Sequence, residues 1–216
     1  MNHFDIIKDL YRSSFSEHGD SPAALLTPKG RNTTRYSAID PFLRDDAYTV
    51  CDYGCGLGYL YEYLKKSTQG EKVHYTGVDM LPEFINKCRE KYEEANFFVV
   101  DSNELLGKNF DIVFSSGVFN IKTDDNVEVS KNYAFERIKY LFQITNDVLI
   151  CDFLSVFVDF QQSNAQHFSV QEIAEFCVKH LGRKFQIRHD LLPYEFTLIV
   201  HKNSDIQKPE NRFVKK

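Results

Sequence analysis

The chain has 216 residues, a formal net charge of −5 and 43% hydrophobic content, enough for one domain with a sizeable core and little room for a second. Its acidic balance lacks the broad basic face that phosphate-backbone binding needs, which makes nucleic acid a poor candidate partner. No run of 18 apolar residues occurs, so no membrane span is expected.

The start, Met1-Asn2-His3-Phe4-Asp5, has neither a basic cluster nor a long apolar run behind it, so the expectation is a cytoplasmic protein without a signal peptide. Five cysteines with no C-x-x-C pair point to reduced thiols, with no disulfide framework and no metal site. Residues 1–45 read as a helical extension. Phe4, Ile7, Leu10 and Tyr11 recur at helical spacing, Phe15 continues the stripe, and Gly19 is a stop. A loop with Ser21, Pro22, Pro28 and Gly30 follows, and then a short helix is expected from about Arg35 to Leu43. The same stretch concentrates Lys29, Arg31 and Arg35, cations that can meet a carboxylate or a phosphate.

The most informative segment is Val50-Cys51-Asp52-Tyr53-Gly54-Cys55-Gly56-Leu57-Gly58-Tyr59-Leu60, an apolar strand entering a glycine-rich turn and then an amphipathic helix. Glycines at alternate positions let the backbone turn tightly and let a ligand approach peptide groups that a Cβ would shield. Dinucleotide folds place the third glycine one position later, where a helix N-terminus receives a pyrophosphate. Here Asp52 stands two residues before the first glycine. An acid beside bare carbonyls suits a cation better than a phosphate, and S-adenosylmethionine carries an ammonium and a sulfonium with no phosphate.

A second strand, Tyr75-Thr76-Gly77-Val78-Asp79-Met80, ends in an acid about 20 residues beyond the last glycine, the distance at which a neighbouring parallel strand delivers a carboxylate to ribose hydroxyls. Pro82 marks a helix start. Phe97 to Val100 forms a third strand ending at Asp101-Ser102, and Phe110 to Ser116 a fourth, entering the loop Gly117-Val118-Phe119-Asn120. A helix from about Lys131 to Thr145 places Tyr133, Ile138, Leu141 and Phe142 in the core, and Val148 to Leu154 makes the fifth strand. After a helix from about Val170 to Leu181, two β-rich runs, Lys184–Asp190 and Tyr194–His201, are separated by a Leu-Leu-Pro turn. So short a link demands a hairpin, since a parallel return needs a dozen or more residues. Residues 46–202 therefore form the core, and 203–216 a polar tail.

These motifs together resemble the class I S-adenosylmethionine-dependent methyltransferases, particularly small bacterial ones of surface-polysaccharide and secondary-metabolite pathways. The resemblance covers roughly residues 35 to 202. It implies a Rossmann-like α/β fold with a seven-stranded sheet, parallel except for an antiparallel C-terminal strand, and helices on both faces. It further implies that Asp52, Gly54, Cys55, Gly56 and Gly58 cradle the methionine part, Asp79 the ribose, Met80 an adenine face, and Asp101 with Ser102 the adenine edge. Ser116 completes the cofactor set, and Arg35 is the candidate for the methionine carboxylate. Such extensions often fold over the cofactor as a lid.

Methyl transfer from a sulfonium mostly needs orientation and exclusion of water, and a base matters when the acceptor is a hydroxyl. His18, His167, His189, Asp190 and Glu195 are candidates. His189 is favoured because it ends a strand on the ligand rim, with Asp190 or Glu195 orienting it. Lys29, Arg31, Tyr36, Asn120 and Tyr194 are the expected acceptor contacts. Neither the Pro-Pro-aromatic motif of adenine-N6 enzymes nor the Pro-Cys of cytosine-C5 enzymes is present. The expected activity is O- or N-methylation of a small molecule: a sugar, a nucleotide-activated building block or a phospho-compound. A noncatalytic binding or scaffold protein and a nucleotide-dependent oxidoreductase are the alternatives; glycine spacing and the terminal hairpin disfavour the latter.

Overall fold

The computed structural model describes residues 3–27, 30–100 and 107–202. Its strands are β1 (Tyr48–Tyr53), β2 (Val73–Asp79), β3 (Asn96–Val99), β4 (Phe110–Ser115), β5 (Thr145–Ser155), β6 (His167–Phe168), β7 (Phe185–Leu192) and β8 (Glu195–His201). They form one sheet in the order β3-β2-β1-β4-β5-β8-β7, with β6 paired to β5 off that path. Neighbours from β3 to β5 are parallel, whereas β8 is antiparallel to both β5 and β7. The expected seven-stranded sheet and terminal hairpin are present, and β6 is an addition. The helices are α1 (His3–His18), α2 (Arg31–Tyr36), α3 (Tyr59–Leu64), α4 (Pro82–Lys91), α5 (Val127–Gln143) and α6 (Val170–Phe176).

Strands buried on both faces read as unbroken apolar runs, and β5 shows how each is divided. Val148 and Ile150 join the core layer that includes Ile39, Leu60, Leu64 and Ile85, while Leu149, Cys151 and Phe153 join Ile138, Leu141, Phe168 and Phe176 on the other side. That is the two-residue period of a strand applied to a sheet with helices on both faces. Two helix starts carry local side-chain caps. The Asn126 side chain accepts from the backbone of Glu128 and Val129, and Ser169 accepts from Glu172. The Asn126 cap starts α5 four residues before the expected position.

Two further local expectations change. Instead of one helix from Arg35 to Leu43, α2 begins after Gly30, whose φ is 84°, and the chain continues as a 3₁₀ turn over Ser37–Phe42. Pro41 lies inside that turn and has no N–H to extend an α-helix. Tyr133 leaves the core layer and lines a cavity, its ring edge-on to Phe4 at 5.0 Å. Among the described residues, no helix is long and apolar enough to cross a membrane.

Strand order fixes where a ligand can sit. From β1 the chain winds outward through β2 and β3, then returns to β4 and winds the other way, so the carboxyl ends of β1 and β4 flank the crevice where the direction reverses.

Candidate active site

A cavity of about 600 Å³ occupies that crevice. Its floor includes Asp52, Gly54, Cys55 and Gly56 after β1, Asp79 and Met80 after β2, Ser116, Gly117 and Asn120 after β4, and Leu154 on β5. Phe4, Ile7 and Tyr11 from α1 line it, as do Leu25, Arg31, Asn32, Arg35 and Tyr36 from the segment that follows. Beyond Leu154, the wall continues through Asp159, Phe160, Gln162, Asn164 and His167.

The glycine turn is held open by its own backbone. Gly54, Gly56 and Gly58 have φ of 77°, 53° and 76°, values that L side chains rarely adopt. The N–H groups of Gly54 and Cys55 both donate to the Val78 carbonyl, at 2.8 and 3.0 Å, tying the turn to β2. A Cβ on Gly56 would lie 2.7 Å from Leu25 Cδ2, and one on Gly54 would run into Val118. Gly58 acts differently: it caps α3, and a Cβ there would meet Tyr92.

Two acids flank this turn. Asp79 accepts the Gly56 N–H at 3.0 Å and the Leu81 N–H at 2.9 Å, one on each oxygen. Burial raises its pKa, and those backbone donors work against the rise. Lone pairs remain on both oxygens for a further donor. Asp52 is 3% exposed and accepts the Tyr75 hydroxyl at 2.5 Å. Burial nevertheless pushes it up to about 7, against the Tyr75 bond and with help from Asp79. Bare peptide groups and two recessed carboxylates fit a ligand that brings a cation and ribose hydroxyls.

The N-terminal arginines meet an acid from the far end of the chain. Arg35 donates from Nε and Nη2 to the two oxygens of Glu195, at 2.6 and 2.8 Å, and Arg31 Nη1 lies 3.0 Å from the same carboxylate. Asp152, which accepts the Gly117 N–H at 2.8 Å, is 4.0 Å from Arg35 Nε. Burial works to lower the Arg35 pKa, and Asp152 with Glu195 more than compensates, so the guanidinium is held charged. Two faces of Arg35 are thus already engaged, and only Nη1 is left toward Gly117.

Several other expected residues stand elsewhere. Glu195 is the counter-ion of the arginines, and it makes no hydrogen bond to a histidine among the described residues. His189 and Asp190 are outside the cavity wall: β7 is the edge strand, and its register with β8 breaks between Arg188 and Leu192. There His189 Nε2 lies 3.1 Å from Ser155 Oγ, its ring stacks on Phe196, and Asp190 pairs with Arg188 at the surface. Tyr36, Met80, Ser116 and Cys55 line the cavity. Asn120 also lines it, but its Oδ1 accepts the Leu154 N–H and its carbonyl the Gln166 N–H, so it fastens the wall. Tyr194 stands at the rim and donates to Asp159 at 2.6 Å. Lys29, Asp101 and Ser102 lie outside the described residues.

Sequence reasoning passed over Asp152, Asn32 and the preference for His167. His167 is 9% exposed, with Nδ1 2.7 Å from the Ser155 carbonyl and Nε2 buried without a partner among the described residues. It sits on a strand of two residues, too short for any periodic signal.

The family described as a methyltransferase domain matches residues 44–189. A Mycobacterium tuberculosis protein bearing a methyltransferase name, Rv1506c, is 25% identical over 162 residues, 74% of this chain and 96% of that protein. Magnesium protoporphyrin IX methyltransferase from Synechocystis, solved with S-adenosylhomocysteine, superposes with a TM-score of 0.66 at 16% identity, covering 93% of this chain and 100% of the other. CalS10, an amino pentose methyltransferase from Micromonospora echinaspora solved with S-adenosylmethionine, gives 0.61 at 13% identity, covering 89% and 96%.

Proposed function

The chain belongs to the methyltransferase-domain family and is an S-adenosylmethionine-dependent methyltransferase; from that premise we propose that it methylates a small molecule held in the same cavity as the cofactor. The observation that carries this reading is the confinement of the site. A space of about 600 Å³ between the glycine turn and α1 is of the size that small-ligand pockets have. Similarity to enzymes named for a porphyrin and an amino pentose supports the same class of acceptor.

In this reading the turn at Gly54 to Gly56 takes the methionine part, Asp52 its ammonium, Asp79 the ribose hydroxyls and Met80 an adenine face. Asp101 and Ser102 remain the proposed adenine contacts. The bound cofactor supplies a methyl group on a positively charged sulfur, open to in-line displacement. The protein supplies orientation and dryness: α1 and the segment after it shut water out, and the wall from Leu154 to His167 faces the acceptor. Glu195 and Asp152 together oppose the charges of Arg31 and Arg35, which favours an uncharged acceptor over a phospho-compound.

Calorimetry tests the cofactor assignment. S-adenosylhomocysteine binds and NAD does not. Asp79→Ala removes two ribose hydrogen bonds to a charged acceptor, each worth about 1.5 to 3 kcal/mol, and weakens S-adenosylhomocysteine at least tenfold. Unchanged affinity in a folded Asp79→Ala protein would remove Asp79 from the site.

A further inference from the structure

We propose that His167 is the general base of the reaction and that the methyl acceptor is a hydroxyl group. The inference rests on the methyltransferase reading of the cavity and adds the proton's destination and the acceptor's chemical class.

The tautomer is set by the backbone. His167 Nδ1 lies 2.7 Å from the Ser155 carbonyl oxygen, which can only accept, so Nδ1 carries the hydrogen and the neutral ring keeps its lone pair on Nε2. Nε2 is buried and has no partner among the described residues, an exception to the rule that buried polar atoms are paired. The ring belongs to the cavity wall, so a ligand there is the natural source of the missing donor.

Position follows from register. Leu154 on β5 is opposite both His167 and Glu195, and residues in one such row share a face of the sheet. His167 and the arginine-bound Glu195 therefore flank Leu154, with the same cavity over that face reaching Asp52 and Asp79. The histidine is also held on both sides. Gln166 N donates to the Asn120 carbonyl, Lys122 N to the Asn164 carbonyl, and Val156 N to the Phe168 carbonyl. Asn32 Nδ2, a donor lining the cavity, is buried and unpaired as well among the described residues. A hydroxylated ligand offers an acceptor to Asn32 and a donor to His167.

The step balances without a further reactant. Nε2 takes the hydroxyl proton as an oxygen lone pair forms the new C–O bond, the methyl–sulfur bond breaks with its electron pair on sulfur, and the sulfonium becomes a neutral thioether. The imidazolium returns its proton to water once the product leaves.

Two measurements test this. In ¹⁵N-histidine-labelled protein with S-adenosylhomocysteine bound, a two-bond ¹H–¹⁵N spectrum shows His167 protonated on Nδ1 and bare on Nε2. A hydrogen on Nε2 in the neutral ring overturns the proposal even where no acceptor has been found. Methyl-labelled S-adenosylmethionine is then offered with phenols, methyl glycosides and the matching amines. Hydroxyl compounds are methylated, and His167→Asn, whose amide can still donate to the Ser155 carbonyl, loses about 10²- to 10⁴-fold in kcat with S-adenosylhomocysteine affinity within twofold. Imidazole restores part of the rate to His167→Ala. Amine methylation that survives His167→Asn, or absence of rescue in a folded His167→Ala protein, overturns the assignment. Failure of the wild type to bind S-adenosylhomocysteine at all would instead overturn the reading beneath it.

Discussion

Asp52 shows how a single residue can trade stability for binding. Its pKa, about 7 in the folded protein through burial, is above that of an unfolded aspartate, near 3.9. The folded chain therefore holds a proton that the unfolded chain has shed between roughly pH 4 and 7, and stability falls as pH rises across that window. About three pH units correspond to roughly 4 kcal/mol at most. Asp52→Asn should leave the unliganded protein about as stable as wild type at pH 4 and more stable at pH 8, as read by urea unfolding at the two pH values. The same substitution should weaken S-adenosylhomocysteine, and wild-type affinity should rise between pH 6 and 7.5 as the carboxylate ionises to receive the ammonium. A flat affinity over that range would detach Asp52 from the cofactor. Glu195 carries the opposite lesson. Glu195→Ala leaves Arg31 and Arg35 without their shared counter-ion, and breaking a buried pair costs about 3 to 5 kcal/mol, so the denaturation midpoint should fall clearly. Arg31, 30% exposed at its side chain, can turn to water, and Arg31→Ala should cost far less.

At the scale of elements, the N-terminal segments divide by what holds them. Through Phe15, α1 packs on Phe84 of α4, and Arg12 pairs with Glu83; the stretch after it closes over the cavity through Leu25 and Arg35. Residues 19–35 should gain protection against hydrogen exchange on adding S-adenosylhomocysteine, while β1 and β4 should not change. Equal protection with and without ligand would mean that the segment is a fixed wall. This is also the scale at which the sequence was most readable. Strands, the glycine turn and the acids that end β1 and β2 announce themselves within a dozen residues, because period and turn chemistry are local. The helix expected at Arg35 failed where Pro41 intervened, and β6 gave no pattern at all. Glu195 was expected beside a histidine, because Arg35, the partner it bonds, is 160 residues away, and His189 was preferred because a strand end on the correct rim cannot be told from the edge of the sheet without the strand order. The role proposed for His167 depends on its contact with the Ser155 carbonyl, which no spacing encodes.

For the whole molecule, the sheet order puts the crevice at β1 and β4, and the proposed acceptor wall lies toward β5, β6 and β8. Ligand that binds only the folded state stabilises it by mass action. At 100 times its dissociation constant, S-adenosylhomocysteine should add about 2.7 kcal/mol, a rise in Tm of roughly 5 to 11 °C for a chain of this size. Gly56→Val should abolish that rise, since the branched side chain meets Leu25 and resists positive φ. The Arg35–Glu195 bond has one more implication, in time rather than in space. During synthesis the glycine turn emerges early, but the residue that fastens the roof over it begins the last strand, β8. A nascent or truncated chain ending before Glu195 would hold every residue proposed to contact the cofactor, yet Arg35 would keep only Asp152, at 4.0 Å, and lose its two-point bond to Glu195. On the proposed reading, a chain lacking β8 should therefore bind S-adenosylhomocysteine more weakly than the full chain, as calorimetry on the two would show.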